Sequence, residues 1–124
     1  MNTEAVAPAH VPASILVQGP NLIVSIHAAL DDEQLVRLQR DLLERVGSTR
    51  MQGILIDVAA LDVLDSFAAR TLTDLAYMAR LRGARTVVVG IAPDVAMVLV
   101  RLAVSMPLVK TALDLEEGLQ WLAG

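Results

Sequence analysis

The stretch GILIDVAALDVLDSF, residues 53–67, decides the fold of this chain. Its first part, Gly53–Val58, is almost continuously aliphatic, which is typical of a strand covered on both faces of a sheet. Three polar residues, Asp62, Asp65 and Ser66, follow before a helical pattern begins. A buried strand, a short loop and a helix in this order indicate an α/β domain. The polar loop then lies at the edge of the sheet where the ligands and partners of such domains bind.

The rest of the chain alternates in the same way between short β-branched runs and segments with helical spacing. This alternation predicts a single α/β domain with a mostly parallel central sheet of roughly four or five strands and about four helices. Residues 1–13 are rich in Ala and Pro, so we predict a mobile tail there and place the domain at residues 14–124. The predicted strands are 15–17, 22–26, 53–58, 86–91 and 108–109; the predicted helices are 31–46, the segment after the opening stretch up to Gly83, 93–103, and the segment from Asp114 onward.

The helix boundaries have their own sequence signatures. Asp31 with Gln34, and Asp114 with Glu117, have the spacing of capping boxes. Gly47 is expected to end the first helix. The predicted buried stripes are Leu35, Leu38, Leu42 and Val46 on the first helix, Ala68, Leu72, Leu75, Ala76 and Ala79 on the second, and Leu115, Leu119 and Leu122 on the last.

Composition excludes several functional classes. Ten basic and fourteen acidic residues give a net charge of −4, which disfavours a nucleic-acid-binding face because such a face must neutralise phosphates. Hydrophobic residues make up 55% of the chain but aromatic residues only 2%, so the core is aliphatic, and the apolar surplus predicts self-association. The N-terminal residues do not resemble a secretory signal, and we expect a cytoplasmic protein that does not enter the membrane.

The chain offers little material for a cofactor or metal site. It has no cysteine, and its two histidines, His10 and His27, stand alone in the sequence. It also lacks a glycine-rich loop that could hold a phosphate group. We therefore predict a protein without enzymatic turnover, without a metal and without an organic cofactor.

Three interpretations of Ser66 are open. A nucleophile is disfavoured, because no G-x-S-x-G elbow surrounds Ser66 and no histidine is placed to act as its base. Either Asp65 or Ser66 is suited to cap the following helix. Alternatively, Ser66 is a phosphoacceptor: a phosphate at a helix N-terminus is tolerated, Arg70 one turn on would partly neutralise it, and Asp62 and Asp65 would oppose it.

A competing interpretation places the chemistry on carboxylates. Asp57 ends a predicted strand and Asp31-Asp32-Glu33 opens a helix, which looks something like a response-regulator receiver domain. However, Ala28-Ala29-Leu30 separates the acidic residues from their strand, and Asp57 lacks the loop that such domains carry. Asp57 is more simply a strand-end residue that supports the next loop.

The segments ILIDVAALDVLDSFAARTL (residues 54–72) and ARTVVVGIAPDVAMVLV (residues 84–100) resemble the STAS family, the domain of anti-sigma factor antagonists and of sulfate transporter tails. The resemblance covers nearly the whole chain from about Ile15. Its motif is an aspartate and a hydroxyl residue at the start of the second helix, here Asp65-Ser66. Within the family the chain is most similar to the small, single-domain scaffold of the stressosome.

This resemblance implies a function and a set of partners. It implies a non-catalytic scaffold that sequesters a switch serine kinase and releases it when Ser66 is phosphorylated, a phosphatase that reverses the modification, and a larger STAS co-scaffold. The partner-binding loop it implies contains Asp62, Asp65, Ser66, Phe67 and Arg70. Two alternatives remain: a small STAS subunit of a membrane transport complex that binds its ATPase, and a free anti-sigma factor antagonist. The second alternative is weakened because free antagonists often have D-S-S-G where this chain has Asp65-Ser66-Phe67-Ala68.

Overall fold

The computed structural model of the protein describes residues 12–101, 106 and 109–124. Within these residues, five strands form one sheet in the spatial order β1-β2-β3-β4-β5, and four helices connect or follow the strands. The predicted α/β class, with a mostly parallel sheet, is confirmed. The strands are β1 (Ala13–Gln18), β2 (Asn21–Ile26), β3 (Gly53–Asp57), β4 (Arg85–Val89) and β5 (Lys110–Ala112); the helices are α1 (Asp32–Thr49), α2 (Ser66–Leu81), α3 (Pro93–Arg101) and α4 (Leu115–Ala123).

The sheet combines one hairpin with three parallel strand pairs. β1 and β2 are antiparallel and are joined at Gly19, whose φ of +58° suits a tight turn. The pairs β2–β3, β3–β4 and β4–β5 are parallel. Parallel strands need a crossover connection, and a helix lies between the two strands of each pair in the sequence. The carboxyl ends of β2 to β5 therefore meet at one edge of the sheet, and the loop before α2 lies at that edge.

Two aliphatic cores lie on opposite faces of the sheet. The larger core contains Ile54 and Ile56 of β3 together with residues of α1, α2 and α3. The smaller core contains Leu55, which points to the other face of β3, and Leu122 of α4. At Gly118, a Cβ atom would lie 2.7 Å from Cγ1 of Val89, so only glycine allows α4 to approach the sheet this closely.

Most of the predicted helix features are confirmed. The predicted stripes on α1 and α2 are buried throughout. Asp31 and Gln34 form the predicted capping box at α1. Asp114 accepts a hydrogen bond from the Glu117 N–H at 2.9 Å, but the Glu117 carboxylate accepts from the Leu113 N–H at 2.7 Å rather than from the N-cap residue.

The predicted capping box of Asp114 and Glu117 is therefore wrong in its second half, and three further predicted details are wrong. α1 continues past Gly47 to Thr49, and Arg50 follows it with a φ of +55°, so a non-glycine residue takes the left-handed position. Leu115, the first residue of α4, is 42% exposed rather than directed inward. The last strand is Lys110–Ala112, and Val109 precedes it rather than forming part of it, because β5 is an exposed edge strand whose polar residues do not produce an apolar pattern.

Some predictions fall on residues outside the described ranges. Residues 1–11 are outside them, so the mobile tail stays a prediction, and β1 begins at Ala13. The predicted end of the third helix at Ala103 and the strand residue Leu108 are also outside them. Over the described residues, none of the helices combines the length and apolar character needed to cross a membrane.

Candidate phosphoacceptor site

The loop between β3 and α2 is held firmly at both ends. At its start, the Asp57 carboxylate accepts a hydrogen bond from the Ala59 N–H at 2.9 Å, and the Val58 N–H donates to the Val89 carbonyl at 3.0 Å. Further on, Leu61 and Leu64 are buried in the larger core. Asp57 thus supports the loop, as expected of a strand-end residue. The exposed residues between and after these anchors are Ala59, Ala60, Asp62, Val63, Asp65 and Ser66.

Asp65, and not Ser66, caps α2. Asp65 has extended backbone angles (φ −82°, ψ 177°), and its carboxylate accepts a hydrogen bond from the Ala68 N–H at 2.8 Å. Ser66 is the first helical residue and is exposed. Its hydroxyl has no hydrogen-bond partner among the described residues. The capping interaction therefore leaves the Ser66 hydroxyl available to another molecule.

The first turn of α2 has two backbone N–H groups that the Asp65 cap does not bond. The N–H groups of Ala68 and Ala69 are bonded to the Asp65 side chain and carbonyl, whereas those of Ser66 and Phe67 have no partner among the described residues. α1, α3 and α4 each carry at least one acidic residue in the first turn, but α2 carries none. A negative group on Ser66 would supply the charge that favours a helix N-terminus.

The other predicted site residues lie around Ser66 in different environments. Arg70 is exposed, stands four residues further along α2, and forms no ion pair within the described residues. Asp62 and Asp65 are exposed on the same loop. Phe67 is half-buried and lines a groove between α1 and α2, together with Val36 and Arg40. The structure thus gathers these residues at one end of α2, while Phe67 faces the neighbouring helix.

One exposed apolar residue close to Ser66, Val63, was not predicted from the sequence. Val63 is 65% exposed and lines a small apolar cleft beside Asp65, between the loop before α1 and the loop before α2. The inward spacing of Leu61 and Leu64 could have indicated it, because a residue between two buried anchors points outward. Val63 adds apolar contact area next to Ser66.

Among the described residues, no side chain is hydrogen-bonded to Ser66 as a catalytic base would be. His27, at the end of β2, has its Nε2 atom 3.1 Å from the Ser14 hydroxyl, and His10 lies outside the described residues. In the part of the chain that the structure describes, no three His, Cys, Asp or Glu side chains cluster as a metal site. The sheet order also differs from the 2-1-3-4-5 order of receiver domains, which overturns that interpretation.

The aspartate and the serine at the start of the second helix are the motif that the predicted family implies. The chain belongs to the STAS family, because the model of the STAS domain matches residues 13–118. The predicted family is therefore confirmed.

Individual relatives narrow the comparison to the stressosome. The chain is 32% identical to a serine-to-glutamate variant of RsbS from Moorella thermoacetica, with a TM-score of 0.77 over 93% of this chain and 96% of that one. It is 29% identical to a chain in a solved structure of the stressosome, which is described as a signal integration and transduction hub. The TM-score is 0.69 over 88% of this chain and 95% of that one. It is 30% identical over 98 residues to the RsbT co-antagonist protein RsbRA of Bacillus subtilis (strain 168), which covers 79% of this chain but only 36% of the length of RsbRA.

Proposed function

We propose that this STAS domain is a non-catalytic scaffold of a stressosome-type complex, which sequesters a switch serine kinase and releases it when Ser66 is phosphorylated. The observation that carries this proposal is the division of tasks at the start of α2. Asp65 makes the cap, so the exposed Ser66 hydroxyl is available for modification without loss of a structural hydrogen bond. The similarity to RsbS and to a stressosome chain supports the scaffold role.

Phosphorylation of Ser66 is compatible with the fold. A phosphate adds about −1.5 to −2 charges at pH 7. At a helix N-terminus this charge is favourable by roughly 0.3–1 kcal/mol. The N–H groups of Ser66 and Phe67 have no partner among the described residues and are available to the added anion, whereas the Asp65 carboxylate at the N-cap opposes it. The modified domain is therefore expected to stay folded.

The same phosphate is unfavourable for a partner that covers this loop. Contacts made over Ser66 would face a bulky anion beside Asp62 and Asp65, both of which are exposed. Like charges brought together at an interface cost several kcal/mol. Arg70 offsets only part of this cost, because its exposed charge is screened by solvent. Since about 1.4 kcal/mol corresponds to tenfold in affinity, a loss of roughly a hundredfold follows.

The partners in this proposal are an RsbT-like serine kinase, an RsbX-like phosphatase and an RsbR-like STAS co-scaffold. The relative RsbRA is named a co-antagonist of RsbT, which supports the first and third of these. In this account the complex is cytoplasmic, uses no cofactor, and regulates a stress-response pathway through the released kinase. The domain itself contributes binding surfaces and a phosphate acceptor, not catalysis.

Calorimetric titration of the cognate RsbT-like kinase against wild type, Ser66→Ala and Ser66→Asp tests the proposal. We expect Ser66→Ala to bind as wild type does, and Ser66→Asp to bind roughly a hundredfold more weakly. Ser48→Asp, near the far end of α1, introduces the same charge away from the loop and is expected to keep wild-type affinity. Equal affinity for all four proteins, each folded by circular dichroism, would show that Ser66 is not the switch.

A further inference from the structure

β5 is shorter than its neighbour β4, and this leaves a cavity beside the sheet. β4 spans Arg85–Val89, whereas β5 begins at Lys110, which is opposite Val87. The first two residues of β4 therefore have no strand beside them on that side among the described residues. The space beyond the start of β5 is a cavity of about 250 Å³, lined by residues from the last turns of α2 and α4. It lies at the opposite end of the parallel strands from Ser66.

The lining of this cavity is cationic. Arg80 of α2, Arg85 of β4 and Lys110 of β5 line it, and no acidic residue does. None of the three forms a salt bridge within the described residues. The chain as a whole carries a net charge of −4, so this cluster is a local feature and not a consequence of composition. Positive charges gathered around one cavity repel one another, and a bound anion would relieve that repulsion.

Arg85 is held in position at the wall of the cavity. Its side chain is half-buried, and its Nη2 group donates hydrogen bonds to the carbonyls of Trp121 and Leu122 at 3.2 and 2.7 Å. Its Cζ atom lies 4.5 Å from the centre of the Trp121 ring, and Nζ of Lys110 lies 6.0 Å from the same centre. The Nε and Nη1 groups of Arg85 have no partner among the described residues. The arginine is thus fixed while it keeps donors for an oxyanion.

Thr86 adds a neutral hydrogen-bonding group to the lining. It is only 2% exposed, and its hydroxyl has no hydrogen-bond partner. Buried hydroxyl groups nearly always have a partner, because removing one from water without a new bond is unfavourable. An oxyanion bound against Thr86 would accept this hydrogen bond.

We propose that this cavity binds a phosphate group, held by Arg80, Arg85, Lys110 and the Thr86 hydroxyl. The group belongs either to inorganic phosphate or to a small phosphate monoester. A phosphate monoester carries about −1.5 to −2 charges at pH 7 and three acceptor oxygens, which suits three cations better than the single charge of a carboxylate. The guanidinium group of arginine also matches phosphate geometrically, through two parallel hydrogen bonds. The proposal does not depend on phosphorylation of Ser66.

Trp121 fluorescence measures binding directly, because Trp121 lines the cavity and is the only tryptophan in the sequence. The full chain is titrated with sodium phosphate while the ionic strength is held constant with sodium chloride, so that general screening does not change. We expect a saturable change in emission.

Arg80→Gln/Lys110→Gln removes two of the three cations at exposed positions, where the fold should tolerate the change. We expect it to weaken phosphate binding by about tenfold or more. The matched control, Arg50→Gln/Arg101→Gln, makes the same charge change at exposed residues that do not line the cavity, and should bind as wild type does. Thr86→Val removes the hydroxyl at nearly constant volume. Because that hydroxyl is unpaired in the free protein, we expect weaker phosphate binding without a loss of stability to urea.

Titrations with glycerol 3-phosphate and sodium acetate identify the class of ligand. Tighter binding of the ester than of inorganic phosphate would support a small monoester as the ligand, and the reverse order would support free phosphate. No saturable response to either, an equal response to acetate, or wild-type affinity in both Thr86→Val and Arg80→Gln/Lys110→Gln would each overturn the proposal. Binding to phosphatidylglycerol vesicles without a response to soluble phosphate would also overturn it, since the cluster would then contact a membrane surface.

Discussion

Asp65 accepts the hydrogen bond from the Ala68 N–H that caps α2, and the adjacent Ser66 hydroxyl has no bond to another described residue. In the proposed function, the cap of α2 and the hydroxyl that is phosphorylated belong to neighbouring residues. The cap fixes the helix start and thereby the position of the serine. A change at the serine then does not remove the cap.

Asp65→Ala is therefore expected to lower the free energy of unfolding by about 1 kcal/mol, since an N-cap side chain is lost. Ser66→Ala is the matched variant one residue along, and we expect it to change stability by no more than about 0.5 kcal/mol. Urea denaturation followed by circular dichroism measures both. If the two variants were equally destabilised, the cap would not rest on Asp65 alone.

The Asp65-Ser66 pair shows how far residue-level prediction reaches. The sequence predicts that one of the two caps α2, because both side chains are good N-caps. Which of them does so depends on whether the helix begins at residue 66 or one residue later. Hydrophobic spacing does not determine the first residue of a helix to within one position. The exposure of Ser66 depends in turn on the burial of Leu61 and Leu64 by distant elements.

β3 and β4 form the centre of the sheet, and each is buried over most of its length. Ile56→Asp and Val88→Asp would each leave an unpaired charge in the larger core, where both residues are fully buried. The cost of such a charge exceeds the stability margin of a small domain, so we expect neither variant to fold. The control Leu113→Asp changes a residue that is 78% exposed and should fold normally. A soluble variant at position 56 or 88 with the wild-type circular dichroism spectrum would contradict this account of the core.

Elements with strong apolar patterns could be predicted from the sequence, and elements without them could not. The β-branched runs of β3 and β4 and the stripes of α1 and α2 are confirmed because burial dictates their composition. β5 was not predicted at its observed position, because it is exposed at the sheet edge and contains the polar residues Lys110 and Thr111. Gly47 was misleading because the glycine lies within α1, close to the Arg82 side chain, and does not end the helix.

Charge is distributed unevenly between the two ends of the whole molecule. The Ser66 end, where the parallel strands finish and their following helices begin, is mainly acidic, while the opposite end is mainly basic. The acidic residues at the Ser66 end are Asp31, Asp32, Glu33, Asp57, Asp62, Asp65, Asp94, Asp114, Glu116 and Glu117; the basic residues at the other end are Arg45, Arg50, Arg80, Arg82, Arg85 and Lys110. A phosphate on Ser66 would add to a field that is already negative, which would strengthen the repulsion of an anionic partner surface.

The central claim is tested most directly by phosphorylating the full chain with its cognate kinase and ATP and locating the phosphate by mass spectrometry. The unmodified and the modified protein are then each titrated with the kinase. The account predicts a phosphate on Ser66, a folded product, and roughly a hundredfold weaker binding of the kinase by that product. Ser66→Ala carried through the same procedure should remain unmodified and keep its affinity. A phosphate found on another residue, or unchanged affinity after complete modification of Ser66, would contradict the account.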